Sequence, residues 1–232
     1  MPTDQADGGN RQLESYLGEL ARALALLDRS AVTRYAEQLG LARAEGRQVF
    51  LLGNGGSSAT ASHHVTDLLK TSAVPGCAPL RAYCLSDSTP LATAIANDIA
   101  YEEVFAYQLA AYARPGDLVV ALSCSGTSPN VVRAGETARR NGQRLVALTG
   151  DTAAGVAPLA DLHIRVASGN HGVIEDVHMT VCHAASQLLR ADLERQRAVS
   201  ERQSVRPARD ASPRREDGSP PQTSPVNVPE PA

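Results

Sequence analysis

Five short apolar, β-prone runs, at residues 48–52, 80–85, 117–122, 144–149 and 162–166, are strung along the chain with helical stretches between most of them. That alternation leaves few architectures. Strands separated by helices pair in parallel, and a parallel sheet is stable when helices cover both of its faces. The expected fold class is therefore α/β, a five-stranded parallel sheet flanked by helices. Ligands of such sheets bind outside the carboxyl ends of the strands. The two Gly/Ser-rich turns, after Leu52 and after Leu122, are where function is expected.

Two helices precede the first strand. Leu13, Leu17, Leu20 and Leu24 recur at helical spacing, and Val32, Tyr35 and Leu39 mark a second helix over 30–45 that Gly46 stops. They can pack on each other or on another subunit. A last helix is expected over 175–195. Residues 1–10, polar and Gly-rich, read as a flexible end, and residues 11–197 as the folded domain. Residues 198–232 are dominated by Arg, Asp, Glu, Ser and Pro. Such a segment cannot offset its ordering entropy by burial, so it reads as a disordered tail with no catalytic role. The net charge of −3 over 232 residues gives no reason to expect nucleic acid as a partner. No apolar run is long enough for a membrane span, and the polar N-terminus is not a signal peptide. Cys77, Cys84, Cys124 and Cys182 have no metal-type spacing and read as free thiols of a cytoplasmic protein.

The turn Ser123-Cys124-Ser125-Gly126-Thr127-Ser128-Pro129 follows the third run. Ser128 stands where a helix N-cap belongs and Pro129 at the first helical position. A helix start presents unpaired N–H groups and the positive end of the dipole, so this turn suits an anion. Its donors are hydroxyls and amides; no cation is among them. The earlier turn, Gly53-Asn54-Gly55-Gly56-Ser57-Ser58, lets a ligand approach the backbone, and Ser57 can cap the next helix. His63 and Asp67, four residues apart, share a helix face and can chelate a divalent metal or form a surface pair. Lys70, the one lysine among 22 basic residues, lies near that face. His64 points elsewhere and reads as structural. Glu175 and His183 are eight residues apart, about 12 Å on a regular helix. Either Glu175 lies on a loop or the two reach one ion from different subunits; His178 and Asp176 compete for any role there.

Taken together, Gly53-Asn54-Gly55-Gly56-Ser57, His63-x-x-x-Asp67, Ala96-Asn97-Asp98, Ser123-x-Ser125-Gly126-x-Ser128-Pro129-Asn130 and Glu175-x-x-His178-x-x-x-x-His183 resemble the SIS (sugar isomerase) domain family, and within it the phosphoheptose isomerases, over residues 10–195. The resemblance implies an isomerase that converts sedoheptulose 7-phosphate to a D-glycero-D-manno-heptose 7-phosphate through an enediol. It implies a homotetramer with sites at subunit interfaces, and one zinc per chain on His63, Asp67, Glu175 and His183. Phosphate-binding residues fall on Gly55, Gly56, Ser57, Ser123, Ser125 and Ser128, and substrate contacts on Asn54, Asn97, Asp98 and Glu175. Lys70 is added as a phosphate contact, and Asp67 and His183 as base and acid. The chain departs from the pattern at Asp67 (glutamate in the family), Glu175 (glutamine), Cys124 (threonine) and Gly172 (aspartate). The alternatives are a non-catalytic SIS protein that binds a sugar phosphate or a protein partner, as relatives that regulate replication initiation do, and a SIS-type transcription regulator. The first would lose the His/carboxylate set, which is kept here. The second would need a basic helix-turn-helix, which is not apparent.

Overall fold

The computed structural model describes residues 3–204, with side chains described over 9–202. Most of the expected tail, 205–232, lies outside the described residues. Helices α1 (Thr3–Leu26) and α2 (Arg29–Ala44) lead into β1 (Gln48–Leu52) and α3 (Gly55–Thr66), which continues as a π turn (Asp67–Thr71). Then come β2 (Arg81–Cys84), α4 (Thr89–Asp98), a 3-10 turn (Tyr101–Glu103) and α5 (Ala106–Tyr112). The second half is β3 (Leu118–Ser123), α6 (Pro129–Arg140), β4 (Arg144–Thr149), a 3-10 turn (Ala157–Leu159), β5 (Leu162–Arg165) and α7 (His171–Ser204).

The five strands form one parallel sheet in the order β2-β1-β3-β4-β5. Every residue of β3 is buried, as a central strand covered on both faces requires. On one face Val49, Leu51, Leu118, Val120, Val146 and Leu148 pack with residues of α2, α3 and α7. On the other, Phe50, Leu52, Val119, Ala121, Leu145 and Ala147 pack with residues of α4, α5 and α6. From β1 the chain moves outward to β2, then crosses back to β3 and proceeds the other way. The strand order therefore reverses between β1 and β3, and a crevice opens at their carboxyl ends. The two turns singled out in the sequence are the walls of that crevice.

Local signals set the element ends. Asp28 caps α2, its Oδ1 accepting from the backbone N–H groups of Ser30 (2.9 Å) and Ala31 (3.1 Å). Gly46, with φ of 65°, ends it in the left-handed region. There the Gly46 N–H donates to the Arg43 carbonyl and the Arg47 N–H to that of Ala42, the paired bonds of a Schellman cap. Two boundaries differ from expectation. The backbone is already helical from Thr3, through most of the segment expected to be loose; a nucleated helix propagates at little cost. The last helix runs to Ser204, past 197. Its polar end carries the (i, i+4) pairs Arg190–Glu194 and Arg197–Glu201, which support a helix in water.

Both buried histidines are structural. His64 lies between the Tyr35 hydroxyl (2.8 Å from Nε2) and the Ser186 hydroxyl (3.4 Å from Nδ1), as expected of it. His178 is fully buried and neither ring nitrogen has a well-formed hydrogen bond. Burial holds its imidazole down to about 4, and the Thr149 backbone only weakly opposes this. An unfolded chain takes up that proton near pH 6.5, the folded one only near 4. Stability from this group is thus whole above about pH 6.5 and is lost on acidification, at roughly 1.4 kcal/mol per pH unit. The thermal unfolding midpoint should fall between pH 6.5 and pH 5, and fall less steeply in His178→Gln. An equal acid slope in the variant would assign the loss to other groups.

Candidate active site

Helices α3 and α7 lie side by side and point the same way, so their residues match in register. Gly56 faces Glu175: a Cβ at position 56 would sit 2.3 Å from Glu175 Oε1. About two turns on, His63 faces His183, with the two Nε2 atoms 3.0 Å apart. Asp67 closes this group from below. It is buried, and its Oδ2 lies 3.5 Å from each of the two Nε2 atoms.

Asp67 owes its aim to the π turn that begins with it, in which the Ser72 N–H reaches back five residues to the Asp67 carbonyl (2.8 Å). Such insertions are frequent at functional sites. Thr71 donates its hydroxyl to Asp67 Oδ1 (2.9 Å), which fixes the carboxylate plane. Oδ2 is buried without any hydrogen-bond partner. Two imidazole nitrogens and a carboxylate oxygen are the donor set zinc takes, and tetrahedral bonds of about 2.0–2.1 Å put ligand atoms roughly 3.3 Å apart. The observed 3.0, 3.5 and 3.5 Å edges fit that shell. His63, Asp67 and His183 can therefore hold a cation with a coordination position left over.

Glu175 is not part of this group. It is the fifth residue of α7, which excludes a loop position, and it stands at the other end of the α3–α7 contact. Its Oε1 accepts from the Cys124 thiol (3.8 Å), and Cys124 in turn lies 4.0 Å from the Ser57 hydroxyl. Burial, helped by the Glu175 charge, pushes the Cys124 thiol up, so it is a poor nucleophile. The competitors named from the sequence are otherwise engaged: Asp176 accepts from the Tyr16 hydroxyl (2.6 Å), and His178 is in the core.

The second turn forms the hydroxyl-lined cradle. Ser123 Oγ accepts from the Gly126 N–H (3.1 Å) and Ser125 Oγ from the Thr127 N–H (3.2 Å). From behind, the N–H groups of Gly150 and Val156 hold the carbonyls of Cys124 (3.0 Å) and Gly126 (2.9 Å). Gly155 must be glycine: its φ is +63°, and a Cβ there would lie 2.1 Å from the Gly126 carbonyl oxygen. Ser128 and Pro129 occupy the N-cap and first-turn positions as expected, but the Ser128 hydroxyl makes no capping bond. The other cap is a correction. Asn54, not Ser57, precedes α3, and it too leaves the helix uncapped by its side chain. Its amide is drawn away into a reciprocal pair with Asn130, at 2.9 and 2.8 Å. Both helix starts thus keep their dipole ends free of a capping side chain, beside the hydroxyls of Ser57, Ser125 and Ser128.

Asn97 and Asp98 lie exposed at the end of α4, bonded to each other (2.8 Å). Lys70 is exposed on the π turn, and its ammonium makes no hydrogen bond or ion pair among the described residues. Thirteen residues of helix, about 20 Å, separate it from Ser57 of the same chain. Sequence reasoning missed Thr71, whose signal is its (i, i+4) spacing from Asp67, and Tyr101, which carried none.

The SIS domain model matches residues 15–150. The chain is 37% identical over 170 residues to a probable phosphoheptose isomerase of Thermoplasma acidophilum, covering 73% of this chain and 93% of that one. The fold aligns with a phosphoheptose isomerase from Francisella tularensis at a TM-score of 0.74 and 26% identity, covering 82% of this chain and 100% of that one. With the phosphoheptose isomerase of Neisseria gonorrhoeae the TM-score is 0.72 at 26% identity, over 81% and 99% of the two chains.

The cradle geometry separates two glycine and serine effects. Gly155→Ala should cost about 2 kcal/mol or more in urea unfolding, since backbone must move. Ser128→Ala, with no cap bond to lose, should cost less than about 0.5 kcal/mol, against roughly 1 kcal/mol for a working cap.

Proposed function

The chain belongs to the SIS domain family, in its phosphoheptose isomerase branch, and from that membership and the site's geometry we propose that it interconverts sedoheptulose 7-phosphate and a D-glycero-D-manno-heptose 7-phosphate. The observation that carries this reading is the convergence of His63, Asp67 and His183 on one point, with an anion cradle at the opposite end of the same helix pair. Aldose–ketose isomerisation moves one proton between C1 and C2 and another between their oxygens, through an enediol. Asp67 is the base at carbon and His183, half exposed, the acid at oxygen while Oδ2 and Nε2 are free of metal; with those two atoms holding a metal, the base role passes to Glu175, which lies outside the triad. His63, Asp67 and His183 would hold zinc, which would supply Lewis acidity toward the carbonyl. Ser57, Ser123, Ser125 and Ser128, with the Gly55 and Gly56 backbone, anchor the phosphate. Asn54, Asn97 and Asp98 take the sugar hydroxyls. Remote anchoring of this kind orients the reacting end.

Glu175 bears on assembly. In its own chain it rests on the cradle, touching Gly56 and Cys124. It can complete a triad only from a second copy, and it would bring that copy's cradle with it. The family resemblance implies a homotetramer, and the place of Glu175 suits one whose sites combine the triad of one chain with the cradle of its neighbour. In that arrangement Lys70, far from its own cradle, serves the neighbour's phosphate. The protein is placed in the cytoplasm, consistent with four free thiols; no described helix is long and apolar enough to cross a membrane.

Purified protein should carry about one zinc per chain, and zinc in hundredfold excess over its dissociation constant should raise stability by about 2.7 kcal/mol. Both effects should vanish in His63→Ala/His183→Ala, measured by elemental analysis and thermal unfolding. For the shared site, that triad-deficient double variant and the cradle-deficient Ser125→Ala/Ser128→Ala variant should each turn over sedoheptulose 7-phosphate poorly. Unfolded and refolded together they should regain turnover, because some sites then pair a whole triad with a whole cradle. No regain in confirmed mixed tetramers would place triad and cradle of one site in one chain.

A further inference from the structure

Three segments assigned to the sugar phosphate are remote in sequence: the turn after β1 with Asn54, the end of α4 with Asn97 and Asp98, and the turn after β3 that ends at Asn130. One atom ties them together. Asn54 Oδ1 accepts from Asn130 Nδ2 (2.8 Å) and from the Tyr101 hydroxyl (3.0 Å), while Asn54 Nδ2 donates to Asn130 Oδ1 (2.9 Å). An amide oxygen has two lone pairs, so Oδ1 is saturated, and one Nδ2 hydrogen is left for a ligand. The orientation of that remaining N–H is set by its partners rather than by the substrate.

Tyr101 reaches this knot from the 3-10 turn just past Asp98. The turn is itself pinned to α6: Arg133 Nε donates to Glu103 Oε1 (2.8 Å), and the following Val104 and Phe105 are buried. The ring also lines a cavity of about 230 Å³ between α4 and the Asn54 turn, with Ser58, Ser86, Thr89 and Thr93. More than half of Tyr101 is exposed, so the core does not require it. An exposed tyrosine whose hydroxyl completes a saturated amide at the centre of a site has a job other than packing.

We propose that Tyr101 is a positioning residue, acting through Asn54 to hold the three substrate-binding segments in one register. Its role in turnover rests on the isomerase reading above. The knot itself does not.

Tyr101→Phe removes one oxygen from a half-exposed ring and leaves the fold intact. Amide exchange should then quicken about threefold to tenfold, the worth of one hydrogen bond, in both 53–58 and 123–130, and stay unchanged in 144–149. Unchanged exchange in 123–130 overturns the knot. With sedoheptulose 7-phosphate, KM should rise about threefold to tenfold while kcat stays within about twofold. Combined with Asn54→Ala, Tyr101→Phe should add nothing, because it acts only through that amide. Additive losses, or wild-type KM in Tyr101→Phe, overturn the positioning role. A wild-type protein that neither binds nor isomerises the sugar overturns the isomerase reading and with it the role in turnover, and the exchange result still decides the knot.

Discussion

The close approach of α7 to α3 is the contact on which the site depends. α3 opens with Gly55-Gly56-Ser57-Ser58-Ala59-Thr60-Ala61-Ser62, a run of small residues in which all but the two alanines have poor helix propensity; each glycine in a helix interior costs about 0.8–1 kcal/mol against alanine. At Gly56 even a methyl group would meet the carboxylate end of Glu175 and displace it from its place over the turn. The cost is offset where Ala61, Leu68, Val173, Val177 and Val181 bury together. The same contact sets one histidine on another two turns further along. Local stability is given up in α3 for a fixed geometry between two helices.

That trade explains which parts of the site were legible. The strands were read within a residue or two because the central strands of a parallel sheet, covered on both faces, need uninterrupted apolar runs, and such runs are local. Pairing of His63 with Asp67 was legible because helical spacing is local too. His183 entered through a family motif, and its separation from Glu175 was legible because eight residues of one helix lie between them. What the chain does not spell out locally is tertiary. Ser128 has the residue type and position of a cap, yet its hydroxyl makes no cap bond. Asn54 looks like a ligand contact, but its amide is mostly spent on Asn130 and Tyr101. The π turn at Asp67 has no sequence signature comparable to a glycine or a proline, so the carboxylate's aim could be found only in three dimensions.

Asp67 concentrates the electrostatic problem. One of its oxygens is buried without a donor, beside two imidazoles that carry positive charge only if protonated. A buried carboxylate oxygen left unpaired is costly. Thr71 satisfies the other oxygen and leaves this one open. A core position would have recruited a backbone N–H or an arginine. Here the neighbours are two more metal-competent atoms, so the unpaired oxygen is best understood as a ligand atom held ready.

The departures from the family pattern then become connected. Asp67 is one methylene shorter than the glutamate of the resemblance, yet the histidines still lie within 3.5 Å, so the shorter arm loses no reach. Glu175 adds a carboxylate where the resemblance has an amide, and it does so on an anion cradle that contains no cation. A carboxylate and a phosphate in one cradle repel unless a positive charge stands between them. In the proposed assembly that charge would come from the neighbour's zinc, with its Lys70 at the phosphate. Metal and sugar phosphate must then strengthen each other's binding, since each relieves a charge that the other would face, and by linkage the factor is the same in both directions. A glutamine at this position would bind phosphate with less dependence on the metal. In the proposed assembly, glutamate at 175 would make the cradle of one chain conditional on the triad of the next.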